Sequence, residues 1–374
     1  MKKLAYIDAL RGLAILGVVM VHTNQYGHLN LPWGIEKIVW KGGRGVQLFF
    51  LASAFTLFLS YGNRLAKETR PVRNFFIRRY FRIAPMYYLG VLYYLFQDGF
   101  GPRYWLGDEP GITGVNVLSN FLFVNGFNPY WFSSIVHGGW SIAVEMLFYA
   151  LVPFLFSRMK NPRQVLVFFG LSLGIRLGLQ LLFETYPLIA HAKLWEEYLS
   201  LYFPAQLPVF ALGILLYFVV RDEPALLRRV SGKWLLLASV VLLALLVNGD
   251  RLALPNFVSL ILPDHVLFGV AFFLLALGLS RYPWPLLVNP VTTHLGKISF
   301  SLYLVHFGVL YWLERFNLTD YFYNATLDYG LRLVLVLLLG GLLSTAFYHF
   351  VEVPGQRLGS RLIKRLERKE VVAV

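Results

Sequence analysis

The sequence predicts an all-α, polytopic integral membrane protein with about ten transmembrane helices and both termini in the cytoplasm. Three observations predict it. The 374 residues are 57% hydrophobic and only 14% charged, with a mean hydropathy of +0.59, outside the range of a soluble domain or a disordered chain. The apolar residues gather into segments near the ~20 residues that cross a hydrocarbon core. Lys and Arg collect in alternate connections between those segments, the signature of membrane topology.

The expected helices are roughly 4–23, 44–61, 83–97, 138–157, 164–183, 203–220, 234–249, 263–280, 296–313 and 327–351. With the N-terminus inside, 24 of the 34 Lys and Arg fall on the inner side, about eight on the outer side, and Arg11 and Arg176 within spans. The first segment, LAYIDALRGLAILGVVMVHT, has no small-x-small cleavage site after it and carries Asp8 and Arg11 inside it. It is therefore expected to be a retained helix rather than a signal peptide. Gly42, Gly43 and Gly45 open the second, where they suit close helix packing better than substrate admission. The third and seventh are short, so their limits are the least defined. The fourth carries Glu145. The ninth buries Ser299, Ser301, Tyr303 and His306, which read first as interhelical hydrogen-bonding groups. The tenth ends in HFVEVPGQRL, where Glu352 reads as an ion-pair partner for an Arg-rich loop.

Two connections, 24–43 and 98–137, face outside and are rich in Gly, Pro, Asn and aromatics. The longer one either dips into the interface or forms an aromatic belt with turns. Residues 1–356 are expected to form one transmembrane domain. Residues 357–374 are expected to form a basic cytoplasmic tail, an amphipathic helix on the inner leaflet. The chain has no cysteine, which removes disulfides and Cys-based metal sites, and no metal is expected. The net charge of +14 invites a nucleic-acid partner, but its placement in alternate loops argues for lipid bilayer and against nucleic acid.

Three constellations could carry chemistry. Eleven steps at about 100° leave Arg11 and His22 only about 20° apart on one helix face, about 16 Å apart along its axis. Asp8 lies on the same stripe. Charged groups inside a span are costly and mark function by default, and an imidazole titrating near pH 6.5 can act as a general base. Glu145, among Ala, Val, Met, Leu and Phe, must be partnered or protonated. Ser141 lies one turn earlier on its face and Trp140 precedes it. Arg44 and Arg176 are structural alternatives for its partner. Finally, GNRLAKETRPVRNFFIRRYFRIAP sets seven basic residues against Glu68. Arg78, Arg79 and Arg82 alternate there with Phe76, Tyr80 and Phe81. Guanidinium forks suit phosphates and rings suit a purine, as a nucleotide-bearing cofactor such as coenzyme A would require. No GxxxxGK[ST] is present, so an ATP-binding P-loop is not supported.

These residues resemble a known family, the membrane-bound acyltransferase-3 group of bacterial carbohydrate O-acyltransferases. The matching pieces are DALRGLAILGVVMVH at 8–22, GVQLFFLASAF at 45–55, RRYFRIAP at 78–85, WSIAVEMLFY at 140–149, ISFSLYLVH at 298–306 and YHFVEVP at 348–354. The resemblance implies ten helices, catalysis by His22 with Arg11, a required acid at Glu145, and acyl-donor binding at Arg79 and Arg82. Ser53-Ala54-Phe55 departs from the usual Ser-Gly-Phe, and Gln47 stands where an acid is frequent. The chain is expected to resemble the stand-alone members, without an esterase-like domain after the tenth helix.

The expected activity is O-acyl transfer, most simply of acetyl, from cytoplasmic acyl-CoA (acetyl-CoA) as co-substrate to a hydroxyl of a carbohydrate acceptor. That acceptor, a surface polysaccharide or glycolipid, would lie at the outer face of the bacterial cytoplasmic membrane. The expected catalytic residues are His22, Glu145, Arg11 and Asp8. Arg78, Arg79 and Arg82 would bind the donor, and Trp140, Ser141 and Tyr303 the acceptor. Direct transfer and an acyl-His intermediate both fit. A polysaccharide or glycolipid transporter or flippase is the competing class. It would favour paired, interrupted helices in two related halves, which the sequence does not display.

Overall fold

The computed structural model describes residues 4–27, 30–249, 256–318, 321–322 and 324–372. The helices are α1 (Ala5–Gly27), α2 (Trp33–Lys41), α3 (Gly45–Leu65), α4 (Pro71–Asp98), α5 (Gly114–Phe121), α6 (Gly139–Arg158), α7 (Pro162–Thr185) and α8 (Ala192–Leu201). They continue as α9 (Phe203–Asp222), α10 (Ala225–Arg228), α11 (Gly232–Val247), α12 (Asn256–Ile261), α13 (Asp264–Arg281), α14 (Pro290–Arg315), α15 (Ala325–Phe347) and α16 (Val353–Val372). Among the described residues there is no strand. The chain is an all-α, polytopic membrane protein: seven helical stretches among the described residues are long and apolar enough to cross a membrane.

Every expected span coincides with a helix, but three boundaries differ for physical reasons. α4 begins at Pro71, whose fixed φ suits the first helical turn. The Arg-rich segment and the third span are therefore one helix of 28 residues. The connection 24–43 contains α2, whose Trp33, Ile38 and Trp40 are exposed. Residue 357, where the tail is expected to begin, lies within α16. A π-helical turn, Tyr348–Glu352, leads directly into α16.

The chain forms two compact units. One comprises residues 1–55, 161–177 and 208–344; the other comprises 56–160, 178–207 and 345–374. In the first unit α1 and α14 meet at backbone distance. A Cβ on Gly12 would fall 2.0 Å from the Thr292 carbonyl oxygen, and one on Gly296 would fall 1.7 Å from that of Asp8. Only glycine permits such an approach. Gly42 and Gly45 likewise press on the carbonyls of Gly17 and Ala14, so those glycines do serve packing.

In the second unit the 98–137 connection is pinned by buried and half-buried hydrogen bonds. Thr113 and Asn116 form a capping box at the start of α5. The Tyr87 hydroxyl donates to Asn120 Oδ1 at 2.8 Å. Arg103 donates to the carbonyls of Ser134 (3.0 Å), Ile135 (3.1 Å) and Gly99 (2.6 Å). Gly355, Gly359 and the buried Ile363 give α16 a protein-facing side. The two glycines lie against Phe81 and Pro85 of α4, which leaves Arg357, Arg361 and Lys364 on the exposed side.

Candidate active site

The first unit holds an imidazole pair. His22 comes from α1 and His306 from α14, with His22 Nδ1 2.8 Å from His306 Nε2. The rings are nearly parallel, with centroids 5.1 Å apart and planes 19° from each other. His306 is fully buried, and its Nδ1 lies 3.0 Å from the Leu302 carbonyl oxygen. Phe307 packs on both rings, at 4.3 Å from His22 and 4.2 Å from His306. Tyr303 lies 5.9 Å from the His306 ring and 6.4 Å from Phe49. The glycine contact explains the meeting. The two helices run parallel, and each histidine lies ten residues after the glycine at their crossing, Gly12 for one and Gly296 for the other. Asp8 and Arg11 lie on the same α1, both partly buried.

The second unit holds a charged cluster. Glu145 lies on α6, and the hydroxyl of the buried Tyr149, one turn later, hydrogen-bonds to it. Arg79 and Arg82 of α4 act electrostatically on the same Tyr149. The Arg79 guanidinium sits 6.0 Å from the Tyr149 ring centroid and 5.8 Å from that of Phe75. Arg78 is engaged differently: it grips Glu68 with two bonds, Nη1 to Oε1 at 2.7 Å and Nη2 to Oε2 at 3.0 Å. The structural alternatives for Glu145 have partners of their own. Arg44 pairs with Asp264 at 2.7 Å, and Arg176 donates to the Leu260 carbonyl.

Ser141 donates to the Gly138 carbonyl at 3.0 Å, in the turn that starts α6, and Trp140 lies 6.2 Å from Phe132. Beside them, His137 Nε2 contacts Asp98 Oδ2 at 3.0 Å, and Arg103 approaches the same carboxylate at 3.6 Å. Burial pushes the Asp98 carboxyl up. The hydrogen bonds from His137 and Gln97 and the charges of His137 and Arg103 outweigh it, so Asp98 sits below its usual value. Among the described residues, no group of three or more His, Asp or Glu side chains is arranged to hold a metal ion.

The structure thus joins His22 to Tyr303 through His306, and Glu145 to Arg79 and Arg82 through Tyr149. The two bridging residues were not singled out for those roles from sequence. Signals for both exist: a Gly-x9-His spacing repeated on α1 and α14, and the i,i+4 spacing of Glu145 and Tyr149.

The family model of the acyltransferase domain known as acyltransferase-3 matches residues 4–350. A Staphylococcus aureus (strain COL) protein named "Putative O-acetyltransferase" is 25% identical over 97% of this chain and 59% of its own length. The O-acetyltransferase OatA of S. aureus strain NCTC 8325 is 23% identical, with the same coverage of each chain. The chain therefore spans about three fifths of the length of the curated relatives it matches. No solved structure is significantly similar to it.

Proposed function

The chain belongs to the membrane acyltransferase-3 family, and from that premise we propose that it moves an acetyl group from cytoplasmic acetyl-CoA to a hydroxyl of a cell-surface carbohydrate. The observation that carries this reading is His22, an imidazole on an apolar helix held by a hydrogen bond to a second, buried imidazole. Such a group can take a proton from a hydroxyl at neutral pH. The names of the relatives, O-acetyltransferases, support acetyl as the acyl group.

In this reading Arg79 and Arg82 hold the donor phosphates through charge-assisted bonds. Arg78, gripped by Glu68, fixes the helix that carries them. Glu145 and Tyr149 keep the Arg79 and Arg82 side chains in register. His22 removes the acceptor proton as the oxygen attacks the thioester carbonyl; the O–C bond forms, the C–S bond breaks, and the proton passes to the departing thiolate. Arg11, on the same helix face, stabilises the developing negative charge, and Asp8 orients Arg11. Tyr303, Trp140 and Ser141 are proposed to contact the acceptor. The protein would act in the bacterial cytoplasmic membrane with both termini inside, as the Lys and Arg distribution supports.

The test uses the purified protein in detergent, with acetyl-CoA binding and slow thioester hydrolysis as readouts. Replacing Arg79 and Arg82 together by Ala is expected to weaken binding about 100-fold, since bonds to charged groups contribute about 1.5–3 kcal/mol each. His22→Ala is expected to abolish turnover while binding persists. A wild-type protein that binds no acyl-CoA removes the donor and favours the transporter class.

A further inference from the structure

We propose that His306 is a positioning residue that fixes the tautomer of His22, so that Nδ1 carries the proton and Nε2 is the basic nitrogen. The inference rests on the reading of His22 as the general base and deepens it. The assignment starts at a backbone carbonyl. Leu302 O can only accept, so His306 Nδ1, 3.0 Å away, must be the donor. Full burial of His306 favours the neutral ring, because a buried charge is costly. A neutral ring with its proton on Nδ1 has its lone pair on Nε2. That lone pair faces His22 Nδ1 at 2.8 Å, so His22 Nδ1 donates. In a neutral His22 the remaining nitrogen, Nε2, then holds the lone pair.

The opposite tautomer of either ring would set two lone pairs against each other at hydrogen-bonding distance. A single relay, Leu302 carbonyl to His306 to His22, therefore selects one state of the base before any substrate arrives. The proton balance is complete. Nε2 receives the acceptor hydroxyl proton, His22 becomes an imidazolium that still donates from Nδ1, and Nε2–H then returns the proton to the thiolate. His306 keeps its proton throughout. It plays the orienting part that a carboxylate plays in other base pairs, but it brings no negative charge into the span.

Two readouts test this. The first needs no activity: protein with 15N-labelled histidine in detergent, with the His22 signals identified by their loss in His22→Ala. The proton is expected on Nδ1, and His306→Leu is expected to abolish that preference. A wild-type His22 protonated on Nε2 overturns the proposal, whatever the substrate proves to be. The second is acetyl-CoA turnover. His306→Leu is expected to lower kcat about 100-fold, within the range that general-base catalysis contributes, with acetyl-CoA affinity unchanged. His306→Gln places an amide oxygen where Nε2 accepts, and is expected to recover at least about tenfold of that loss, since one hydrogen bond to a charged group is worth about 1.5–3 kcal/mol. A Leu variant with wild-type kcat, or a Gln variant no better than Leu, overturns the proposal. Wild-type protein that lacks acyl-CoA turnover yet shows the Nδ1 tautomer would instead overturn the function assigned to the site.

Discussion

The two polar clusters are built from opposite materials. The His22–His306 pair consists of two imidazoles, lies between helices in backbone contact, and ends on the Leu302 carbonyl. The Glu145–Tyr149–Arg79–Arg82 cluster is charged, uses long side chains on α4 and α6, and is tuned by a ring and a hydroxyl. On the proposed reading the difference separates two tasks. A proton-transfer group needs a defined nitrogen at a fixed place, which close-packed backbone supplies. A phosphate-binding group needs net positive charge and some adaptability, which guanidinium forks supply.

The largest effect that would sharpen the contrast is expected from Gly296→Ala. The new methyl would fall 1.7 Å from the Asp8 carbonyl oxygen, so α14 must move off α1. A displacement of about 1 Å at a catalytic group can cost about 100-fold in rate. Turnover is expected to drop by about that factor and the thermal midpoint to fall, while acetyl-CoA affinity changes less than about threefold, a fraction of one hydrogen bond's worth. Equal loss of affinity and turnover would break the division of labour.

A smaller effect is expected from Tyr149→Phe, which removes one hydrogen bond to Glu145 and keeps the ring under Arg79. Acetyl-CoA affinity should weaken about tenfold, the equivalent of one bond to a charged group. The His22 nitrogen signals should not move. A shifted His22 tautomer in this variant would mean that the clusters do not work independently.

The smallest effect concerns Asp98, which lies outside both clusters. Its folded-state value is depressed, so its contribution to stability is present above the usual aspartate value and is lost as pH falls through the lower folded one. Thermal stability should hold down to about pH 4 and decline below it. Asp98→Asn should flatten that decline, and a wild-type decline already under way near pH 6 would point to a histidine instead.

Much of this architecture was legible in the sequence, because apolar segments of membrane-crossing length announce helices through composition alone. The lengths of α4 and α16 were not. Their polar turns are held by Pro71 at the helix start and by the packing of Gly355 and Gly359 on Phe81 and Pro85, and hydropathy carries neither. Within the two clusters, His22, Glu145, Arg79 and Arg82 stood out as polar groups in or beside spans. Their partners did not, since His306 is 284 residues from His22 and reads alone as an ordinary interhelical hydrogen-bonding group. Arg78 reads as equivalent to Arg79 until Glu68 is seen to claim it.

The glycine crossing of α1 and α14 also bears on how the site meets its lipid surroundings. Helices answer a thinner or thicker bilayer by tilting. Two helices whose main chains touch tilt as one body, because no rotamer change can loosen a join that contains no side chain. The spacing of the two imidazoles is therefore insulated from the acyl-chain length of the host membrane, and the chemistry proposed for them should carry over unchanged from short-chain to long-chain bilayers.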